Sequence, residues 1–416
     1  MEGSEVLSEN QCKKIIERYA KTKDVTVKFY SVNLLKSQLD GLIGEQYIVK
    51  VHYLVNDEEK IAQFFLKTLN GSNPIMFDLA KSIYAYEKEA FYYETFTPLA
   101  RSKGLDHDIA PKSYLCEPYV IVLEDLSLLS YRGTVKKQSL DIKHCRICLE
   151  TLAKFHLRPI LYEMAKSKEL GKNYTLEDEF RTILEDKVVS REENGATKFM
   201  RNSIEGIFHL IELIPENGIS RDDFREKLRE VFDDIMASQG DSMGFRSTLL
   251  HGDLWSSNFL YRYEDNEIVD CKLIDFQTLT YGHPAMDILQ FILTNTRKSF
   301  RNEHQNELIT YYYDYMSELL VEKGLSVADV FPEDEFKKSC EISVLPAKIH
   351  AVIDRSITHI SDETFLEASR TQEDFAKFLF HDRKKYIENS FNEDLYFKEL
   401  MTEDVTELRE MLFKRW

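Results

Sequence analysis

The chain has 416 residues, of which 43% are hydrophobic and 30% are charged, as is typical of a globular protein with one or two domains. Its 72 acidic residues outnumber its 54 basic residues, and the formal net charge of -18 disfavours nucleic acid and anionic membranes as partners. No apolar run is long enough to span a membrane, so we expect no membrane span.

The first part of the chain predicts a small β-rich lobe. After a helix within residues 1–23, Tyr47, Val49, Val51 and Tyr53 alternate with other residues, as in a half-buried strand. A second strand over residues 61–69 forms a hairpin with it. A long helix is predicted over residues 76–101, followed by another strand over residues 119–123.

The rest of the chain predicts a larger, mostly helical lobe. Residues 138–247 and 284–416 have helical patterns, with a short β island between them at residues 249–274. The predicted fold is therefore α+β, with an N-terminal lobe at residues 1–123 and a C-terminal lobe at residues 124–416. Small ligands commonly bind in the cleft between two such lobes.

The strongest motif is His251-Gly-Asp-Leu-Trp-Ser-Ser-Asn258, which has the H-x-D-L-x-x-x-N layout of a kinase catalytic loop. In that layout Asp253 accepts the proton of a substrate hydroxyl, and the side-chain oxygen of Asn258 binds Mg²⁺. Asp275 follows an apolar strand, in the place of the D-F-G aspartate that binds the metal bridging the ATP phosphates. The order and spacing of these residues predict phosphoryl transfer with ATP and Mg²⁺.

A lysine at the end of an earlier strand completes this pattern. Lys67 ends the apolar run Phe64-Phe-Leu-Lys67, which is the position of a kinase lysine that binds the α- and β-phosphates. Its partner is expected on the following helix, where Glu87 and Glu89 point about 200° apart, so only one of them faces the lysine. We favour Glu89 and keep Glu87 as the alternative.

The loop that covers the phosphates is the weakest part of the pattern. It contains Gly41 and Gly44 in place of a complete G-x-G-x-x-G motif. These glycines either let backbone N–H groups approach the phosphates or are ordinary turn glycines.

Three other features have simpler structural interpretations. Asp287 opens a helix, where a carboxylate is first of all an N-terminal cap. His156 has apolar neighbours on a helix and is predicted to be a hydrogen-bonded core histidine. Cys145 and Cys148 form the single C-x-x-C pair, and we interpret them as buried thiols rather than as a zinc site. We therefore expect a reduced, cytoplasmic protein, and we take it to be a monomer.

These motifs together resemble the ecdysteroid kinase-like proteins, which belong to the choline kinase-like and aminoglycoside phosphotransferase branch of the kinase fold. Trp255 is the discriminating residue, because an HGDxW start followed by IDFQ at residues 274–277 is typical of the ecdysteroid group. The other matching segments are Gly44–Tyr47, Glu89–Tyr93, Val122–Leu126, Leu152–His156 and Pro284–Asp287. The similarity covers about residues 30 to 300.

The resemblance implies a protein kinase-like, two-lobed fold whose first lobe binds the nucleotide and whose second lobe carries the catalytic loop and the acceptor-binding helices. It places Glu124 and Leu126 at the hinge that holds the nucleotide. The implied reaction is the ATP-dependent phosphorylation of a hydroxyl on a small molecule. In the named group this acceptor is a steroid alcohol, typically the C-22 hydroxyl of an ecdysteroid.

Several alternatives to a steroid kinase remain. A choline or ethanolamine kinase requires an aromatic, acidic cage for the amine, and related proteins are thought to phosphorylate xenobiotic alcohols. A catalytically silent steroid-binding protein is disfavoured because Lys67, Asp253, Asn258 and Asp275 are all present. A protein kinase is disfavoured because no A-P-E segment follows Asp275.

Overall fold

The chain folds into two compact units. The computed structural model describes residues 6–35, 44–69, 74–105, 108–135, 137–190, 192–238 and 244–413. The first unit, here called the sheet unit, consists of Met1–Thr134 and Ser257–Gln277. The second, here called the helical unit, consists of Val135–Ser256 and Thr278–Trp416. Within the described ranges, no helix has the length and apolar character needed to cross a membrane.

The strands and helices alternate in the first part of the chain, and helices dominate the second part. The strands are β1 (Val25–Leu34), β2 (Glu45–Val55), β3 (Glu58–Thr68), β4 (Ser113–Glu117), β5 (Val120–Glu124), β6 (Tyr131–Arg132), β7 (Thr248–Leu250), β8 (Phe259–Glu264), β9 (Glu267–Leu273) and β10 (Thr280–Gly282). The helices are α1 (Glu9–Ala20), α2 (Pro74–Ser82), α3 (Ala85–Ala90), α4 (Thr97–Ser102), α5 (Ile142–Leu170), α6 (Leu176–Leu184), α7 (Gly195–Leu213), α8 (Arg221–Ser238), α9 (Ala285–Asn295), α10 (Lys298–Glu322), α11 (Val327–Val330), α12 (Glu333–Thr358), α13 (Asp362–Ala368), α14 (Gln372–Phe380), α15 (Lys384–Glu393) and α16 (Leu395–Phe413).

The sheet unit is built on a five-stranded antiparallel sheet in the order β1-β2-β3-β5-β4. The predicted alternation along β2 is confirmed, because Val49 and Val51 are completely buried and Lys50 between them is exposed. Asn56 and Asp57 make the turn to β3 with φ values of 52° and 61°, the left-handed conformation that tight hairpins favour. A separate sheet of β6, β8 and β9 completes this unit.

The predicted continuous helix over residues 76–101 is wrong. Helix α2 ends at Ser82, and α3 begins at Ala85. Between them, Tyr84 has a left-handed backbone conformation with a φ of 57°, which interrupts the helix. A π-helical turn, Phe91–Phe96, joins α3 to α4. Side chains on several faces of this region are buried, so the sequence has no single apolar stripe whose interruption would reveal the breaks in the helix.

The helical unit is organised around two packed helices, α9 and α12. α9 is buried along nearly its whole length, and α12 packs on it through Leu289, Leu293, Ala347 and Ala351. α5 packs on α10, and a short antiparallel pair of β7 and β10 lies in the same unit. The predicted α+β architecture, with β structure mainly in the first lobe and helices in the second, is therefore confirmed.

The hairpin of β8 and β9 groups with the sheet unit, although it follows more than a hundred residues of the helical unit along the chain. The sequence-based division places this hairpin in the second lobe, because the hairpin lies within the second part of the chain. The lobe boundary at residues 123 and 124 stays a prediction.

Candidate active site

Lys67 is the centre of a polar cluster in the sheet unit. The lysine is near the end of β3, and its Nζ atom is 2.9 Å from Oε2 of Glu89 and 2.5 Å from Oδ1 of Asp275. Oε1 of Gln277 lies 3.4 Å from the same ammonium group. Of the two glutamates that the sequence offers as partners, Glu89 rather than Glu87 is the one in contact with Lys67. A strand, a helix and the segment after β9 thus supply one site.

Burial and charge together determine the protonation of this cluster. Lys67 is 8% exposed and Glu89 is 2% exposed. Burial alone lowers the pKa of Lys67, but the carboxylates of Asp275 and Glu89 outweigh that effect and the pKa is raised. Burial raises the pKa of Glu89, while the neighbouring ammonium opposes the rise. Lys67 therefore remains positively charged at neutral pH.

Asp275 has a left-handed backbone conformation, with a φ of 69°. Residues other than glycine adopt this region at a cost of roughly 1–2 kcal/mol, although aspartate tolerates it better than most. Such strained positions are concentrated at active sites and ligand clamps. The conformation is compatible with the predicted role of Asp275, although positive φ values also occur in turns of this chain, as at Asn56 and Asp57.

Asn258 and Asp275 lie at the same end of one hairpin. Asn258 directly precedes β8, where Phe259 pairs with Leu273 of β9. The backbone N–H of Ile274 donates a hydrogen bond of 3.1 Å to the carbonyl oxygen of Asn258. The hairpin register therefore brings the two predicted Mg²⁺ ligands to neighbouring positions.

The donor atoms at this end of the hairpin fit Mg²⁺. The amide oxygen of Asn258 and the carboxylate of Asp275 are hard oxygen ligands, which this ion prefers. Among the described residues, no group of three or more His, Cys, Asp or Glu side chains forms a metal site. A pair of protein ligands suits Mg²⁺ in nucleotide sites, since phosphate oxygens and water complete its coordination.

Phe276 anchors the segment that carries Asp275. Its buried ring stacks on Tyr92, with centroids 3.6 Å apart and ring planes 15° from parallel. Tyr92 lies in the π-helical turn that follows the helix of Glu89. This contact fixes Asp275 beside the helix that supplies the partner of Lys67. No sequence pattern marks Tyr92 for this role, because a tyrosine on an apolar helix is usually a packing residue.

Gly44 is required by the backbone geometry next to Lys67. Its φ is +93°, and a Cβ atom added there would lie 2.3 Å from the carbonyl oxygen of Thr68. Only glycine avoids both the conformational strain and this overlap. Gly41, the other predicted loop glycine, lies outside the described residues.

Glu124 and Leu126 lie at the end of β5, the strand next to β3. Where β5 pairs with β3, Ile121 lies opposite Lys67. The N–H of Glu124 donates to the carbonyl oxygen of Lys112 at 2.8 Å, and its carboxylate is 3.0 Å from the ammonium of the same lysine. Leu126 begins a 3₁₀ turn and is buried.

A small cavity of the sheet unit opens beside the ammonium of Lys67. Its lining combines aliphatic and aromatic side chains with the charged cluster. The lining residues are Lys67, Leu69, Ala85, Tyr86, Glu89, Tyr119, Ile121 and Gln277.

The first six residues of the predicted catalytic loop, His251–Ser256, lie in the helical unit, where backbone hydrogen bonds hold them in place. The N–H groups of His251 and Gly252 donate to the two carboxylate oxygens of Asp287, at 2.7 and 3.1 Å. The N–H of Asp253 donates to Nδ1 of His251 at 3.3 Å. Gly252 has a φ of +77°, and an added Cβ would lie 2.8 Å from the carbonyl oxygen of Thr278. The loop conformation therefore requires the glycine that precedes Asp253.

Asp287 lies in the first turn of α9, but its carboxylate contacts groups outside that helix, which corrects the expectation of a simple N-terminal cap. It is 1% exposed, and besides the two loop N–H groups it contacts Nε2 of His156 at 3.1 Å. Nδ1 of His156 is 2.9 Å from the hydroxyl of Tyr312. The prediction of a hydrogen-bonded core histidine is confirmed, since His156 is completely buried. Asp287 fixes the catalytic loop from α9.

The model of the ecdysteroid kinase-like family matches residues 38–324. The chain belongs to this family. Its fold is accordingly the protein kinase-like α+β fold, and the chain is a small-molecule kinase by family. The match includes every predicted site residue, from Gly41 to Asp275, and also Asp287.

Other similarities are more limited. A Caenorhabditis elegans protein named uncharacterized oxidoreductase dhs-27 is 27% identical over 114 residues, which are 26% of this chain. The match covers only 14% of the length of that protein.

Two solved structures align over most of the chain at low similarity. The GDP and kanamycin complex of APH(2")-IIia has 14% identity and a TM-score of 0.39, covering 96% of this chain and 99% of that one. The GDP complex of wild-type aminoglycoside 2'-phosphotransferase-IIIa has 13% identity and a TM-score of 0.37, with coverage of 96% and 99%. Similarities of this size carry no argument about function.

Proposed function

We propose that this protein transfers the γ-phosphoryl group of ATP to a hydroxyl of a small, steroid-like alcohol. The observation that carries the proposal is the ammonium of Lys67 held between Glu89 and Asp275. Active kinases require both a lysine–glutamate ion pair and a metal-binding aspartate to be in place. The sheet unit supplies both in one buried cluster.

The nucleotide is bound by residues of the sheet unit. Lys67 binds the α- and β-phosphates, and Glu89 holds the lysine in position. Asn258 and Asp275 bind Mg²⁺, which neutralises charge on the phosphates when it is present. The fit of their oxygen atoms to this ion and the geometry of the hairpin support the assignment.

The adenine and the phosphate chain are held by backbone and apolar groups. Gly41 and Gly44 let backbone N–H groups of the loop approach the phosphates. Glu124 and Leu126 form the hinge for the base.

Asp253 is the acid–base residue of the helical unit. It orients the acceptor hydroxyl and takes up its proton late, since phosphoryl transfer has a loose transition state that needs only a weak base. Gly252 and Asp287 keep its loop in position through the backbone contacts described above. A kinase acceptor site requires this kind of fixed loop because misplaced reacting groups lose rate steeply.

The acceptor is an ecdysteroid, and its C-22 hydroxyl is the group phosphorylated. Membership of the ecdysteroid kinase-like family supports this choice over choline, ethanolamine or a xenobiotic alcohol. We further propose a cytoplasmic location, supported by six free thiols, which are typical of a reducing compartment.

The test is an assay with γ-labelled ATP and Mg²⁺ in which ecdysone, choline, ethanolamine and an aminoglycoside are compared in parallel. We expect labelling of ecdysone, and a loss of about 10³-fold in kcat for Asp253→Asn, because a general base contributes 10² to 10⁴-fold. Chelation of Mg²⁺ should abolish labelling. Labelling of choline with none of ecdysone overturns the steroid assignment and leaves the kinase assignment standing.

A further inference from the structure

The packing of α12 on α9 brings two polar residues of α12 close to the catalytic loop. Ala347 and Ala351 of α12 contact α9, and His350 lies between them in the sequence. His350 and Asp354 are four residues apart, so they share a face of the helix, one turn from each other. Both side chains are partly buried.

A hydrogen-bonded glutamine connects this face to the loop. Nε2 of Gln290 on α9 donates to the carbonyl oxygen of Gly252 at 3.0 Å, and it lies 3.1 Å from Nδ1 of His350. Gly252 immediately precedes Asp253. The imidazole of His350 is therefore one side chain removed from the residue that the proposed function assigns to the acceptor hydroxyl.

Asp354 has a carboxyl oxygen with no protein partner. Its Oδ2 atom is out of contact with solvent and makes no hydrogen bond within the described part of the chain. A buried polar atom without a partner is unfavourable, so a ligand group that supplies the missing hydrogen bond would be favoured. This oxygen makes Asp354 a candidate ligand contact near the predicted catalytic loop.

The surroundings of Asp354 favour its neutral form. Burial and the nearby carboxylate of Asp253 raise the pKa of Asp354 to about 8, while Arg355 opposes the rise. Arg355 has little effect because its guanidinium is bound to Asp404 at 2.8 Å. Burial also lowers the pKa of His350, although Asp186 and Asp287 oppose the shift, so the imidazole is neutral as well.

We propose that the carboxyl group of Asp354 forms a hydrogen bond with a hydroxyl group of an uncharged acceptor, with His350 lining the same position. The inference rests on the proposed function and specifies its acceptor site. A neutral carboxyl group and a neutral imidazole next to Asp253 match a polyhydroxylated neutral molecule. A cationic acceptor would instead favour the ionised form of Asp354, since a nearby positive charge lowers the pKa of a carboxyl group.

The test is a direct measurement of ecdysone binding by calorimetry, with no ATP present, so that it does not depend on phosphoryl transfer. The variants are Asp354→Asn, which keeps a neutral donor of similar size, and Asp354→Ala, which removes it. We expect Asp354→Asn to bind ecdysone within about threefold of wild type, and Asp354→Ala to bind about 10 to 100-fold more weakly. Glu341→Ala, at an exposed position of α12, is the matched control and should bind like wild type.

Each contrary outcome has a defined meaning. If Asp354→Asn binds as weakly as Asp354→Ala, an ionised carboxylate is required and the neutral-donor role is wrong. If Asp354→Ala binds and is labelled like wild type, Asp354 lies outside the acceptor site, while the proposed function stands. If wild type binds choline but not ecdysone, the uncharged acceptor is overturned; if it binds no alcohol tested, the proposed function fails with it. Thermal denaturation of each variant verifies that folding is intact.

Discussion

Lys67 contacts two carboxylates, so its loss leaves Glu89 and Asp275 facing each other without a cation. Breaking a buried ion pair by removing one partner costs about 3–5 kcal/mol, because a buried charge is left uncompensated. We expect Lys67→Met to lower the free energy of unfolding by about 3 kcal/mol in urea denaturation. Nucleotide affinity should fall in the same variant.

A double variant separates the two effects of this lysine. Lys67→Met combined with Glu89→Leu removes the lysine and its buried glutamate and leaves only Asp275, whose side chain is partly exposed to solvent. Apolar replacement of a buried ion pair is often neutral for stability. We expect the double variant to regain most of the lost stability but none of the affinity for ATP with Mg²⁺, measured by calorimetric titration. Wild-type affinity in the double variant would show that Lys67 does not bind phosphate.

Gly44 and Gly171 form a matched pair for testing the loop beside Lys67. Both have positive φ values, +93° and +65°, but an added Cβ overlaps a backbone atom only at Gly44 and meets nothing within 4 Å at Gly171. We expect Gly171→Ala to cost about 1 kcal/mol from strain alone, and Gly44→Ala to cost clearly more. Thermal denaturation measures both, and equal shifts contradict the close approach at Gly44.

At the scale of elements, α9 positions the catalytic loop through Asp287. In Asp287→Asn the amide NH₂ group would face one of the two loop N–H donors, so one hydrogen bond is lost and a repulsive contact replaces it. We expect this variant to lose about 2 kcal/mol of stability together with kcat. Asp253→Asn should lose kcat with an unchanged melting temperature. Denaturation and kinetics on both variants distinguish them, and an Asp287→Asn protein of wild-type stability contradicts the role of α9.

The sequence predicts those elements and residues that have a local pattern. The alternation along β2 predicts its buried face, which the structure confirms. The spacing of Asp253, Asn258 and Asp275 predicts a catalytic role for these residues, and that role stays a prediction. The break at Tyr84 has no local signal, because no glycine or proline marks it. Long-range contacts are equally invisible. Asp354 lies about a hundred residues from Asp253, and only the packing of α12 on α9 brings its face towards the loop.

At the scale of the whole molecule, a buried ionic cluster connects three helices of the helical unit. Lys348 on α12 is 2.7 Å from Oδ1 of Asp404 on α16, and Arg355 is 2.8 Å from its Oδ2. Arg301 on α10 contacts Glu407, also on α16. The five charged residues come from three helices, α10, α12 and α16, and the ion pairs between them hold these helices together.

This cluster predicts a loss of stability in acid. Burial raises the pKa of Asp404, but Arg355, Lys348 and Arg301 outweigh it and the pKa falls below the ordinary value of 3.8. The pKa of Asp404 is lower in the folded protein than in the unfolded chain, so the ionised carboxylate stabilises the fold fully above about pH 5. This stabilisation is lost progressively as the pH falls below that value. Urea denaturation from pH 7 to pH 3 measures it.

The variant Asp404→Asn tests the source of that acid sensitivity. We expect it to be about 3 kcal/mol less stable than wild type at pH 7, since three cations lose their central anion. Its stability should then change less between pH 5 and pH 3. Glu303→Gln, at an exposed carboxylate of α10, is the control and should retain the wild-type pH dependence. A wild-type slope in Asp404→Asn excludes Asp404 as its cause.

The discontinuous sheet unit also has a consequence for how the protein is made. Lys67 and Asp275 are 208 residues apart, and translation at 5–20 residues per second separates their appearance by about 10 to 40 s. During that interval the nascent chain holds Lys67 and Glu89 without the hairpin of β8 and β9. Ribosome-bound chains stopped at residue 256 should therefore be cut readily by protease within β3 and α3. Chains extended well past residue 277 should resist cleavage there.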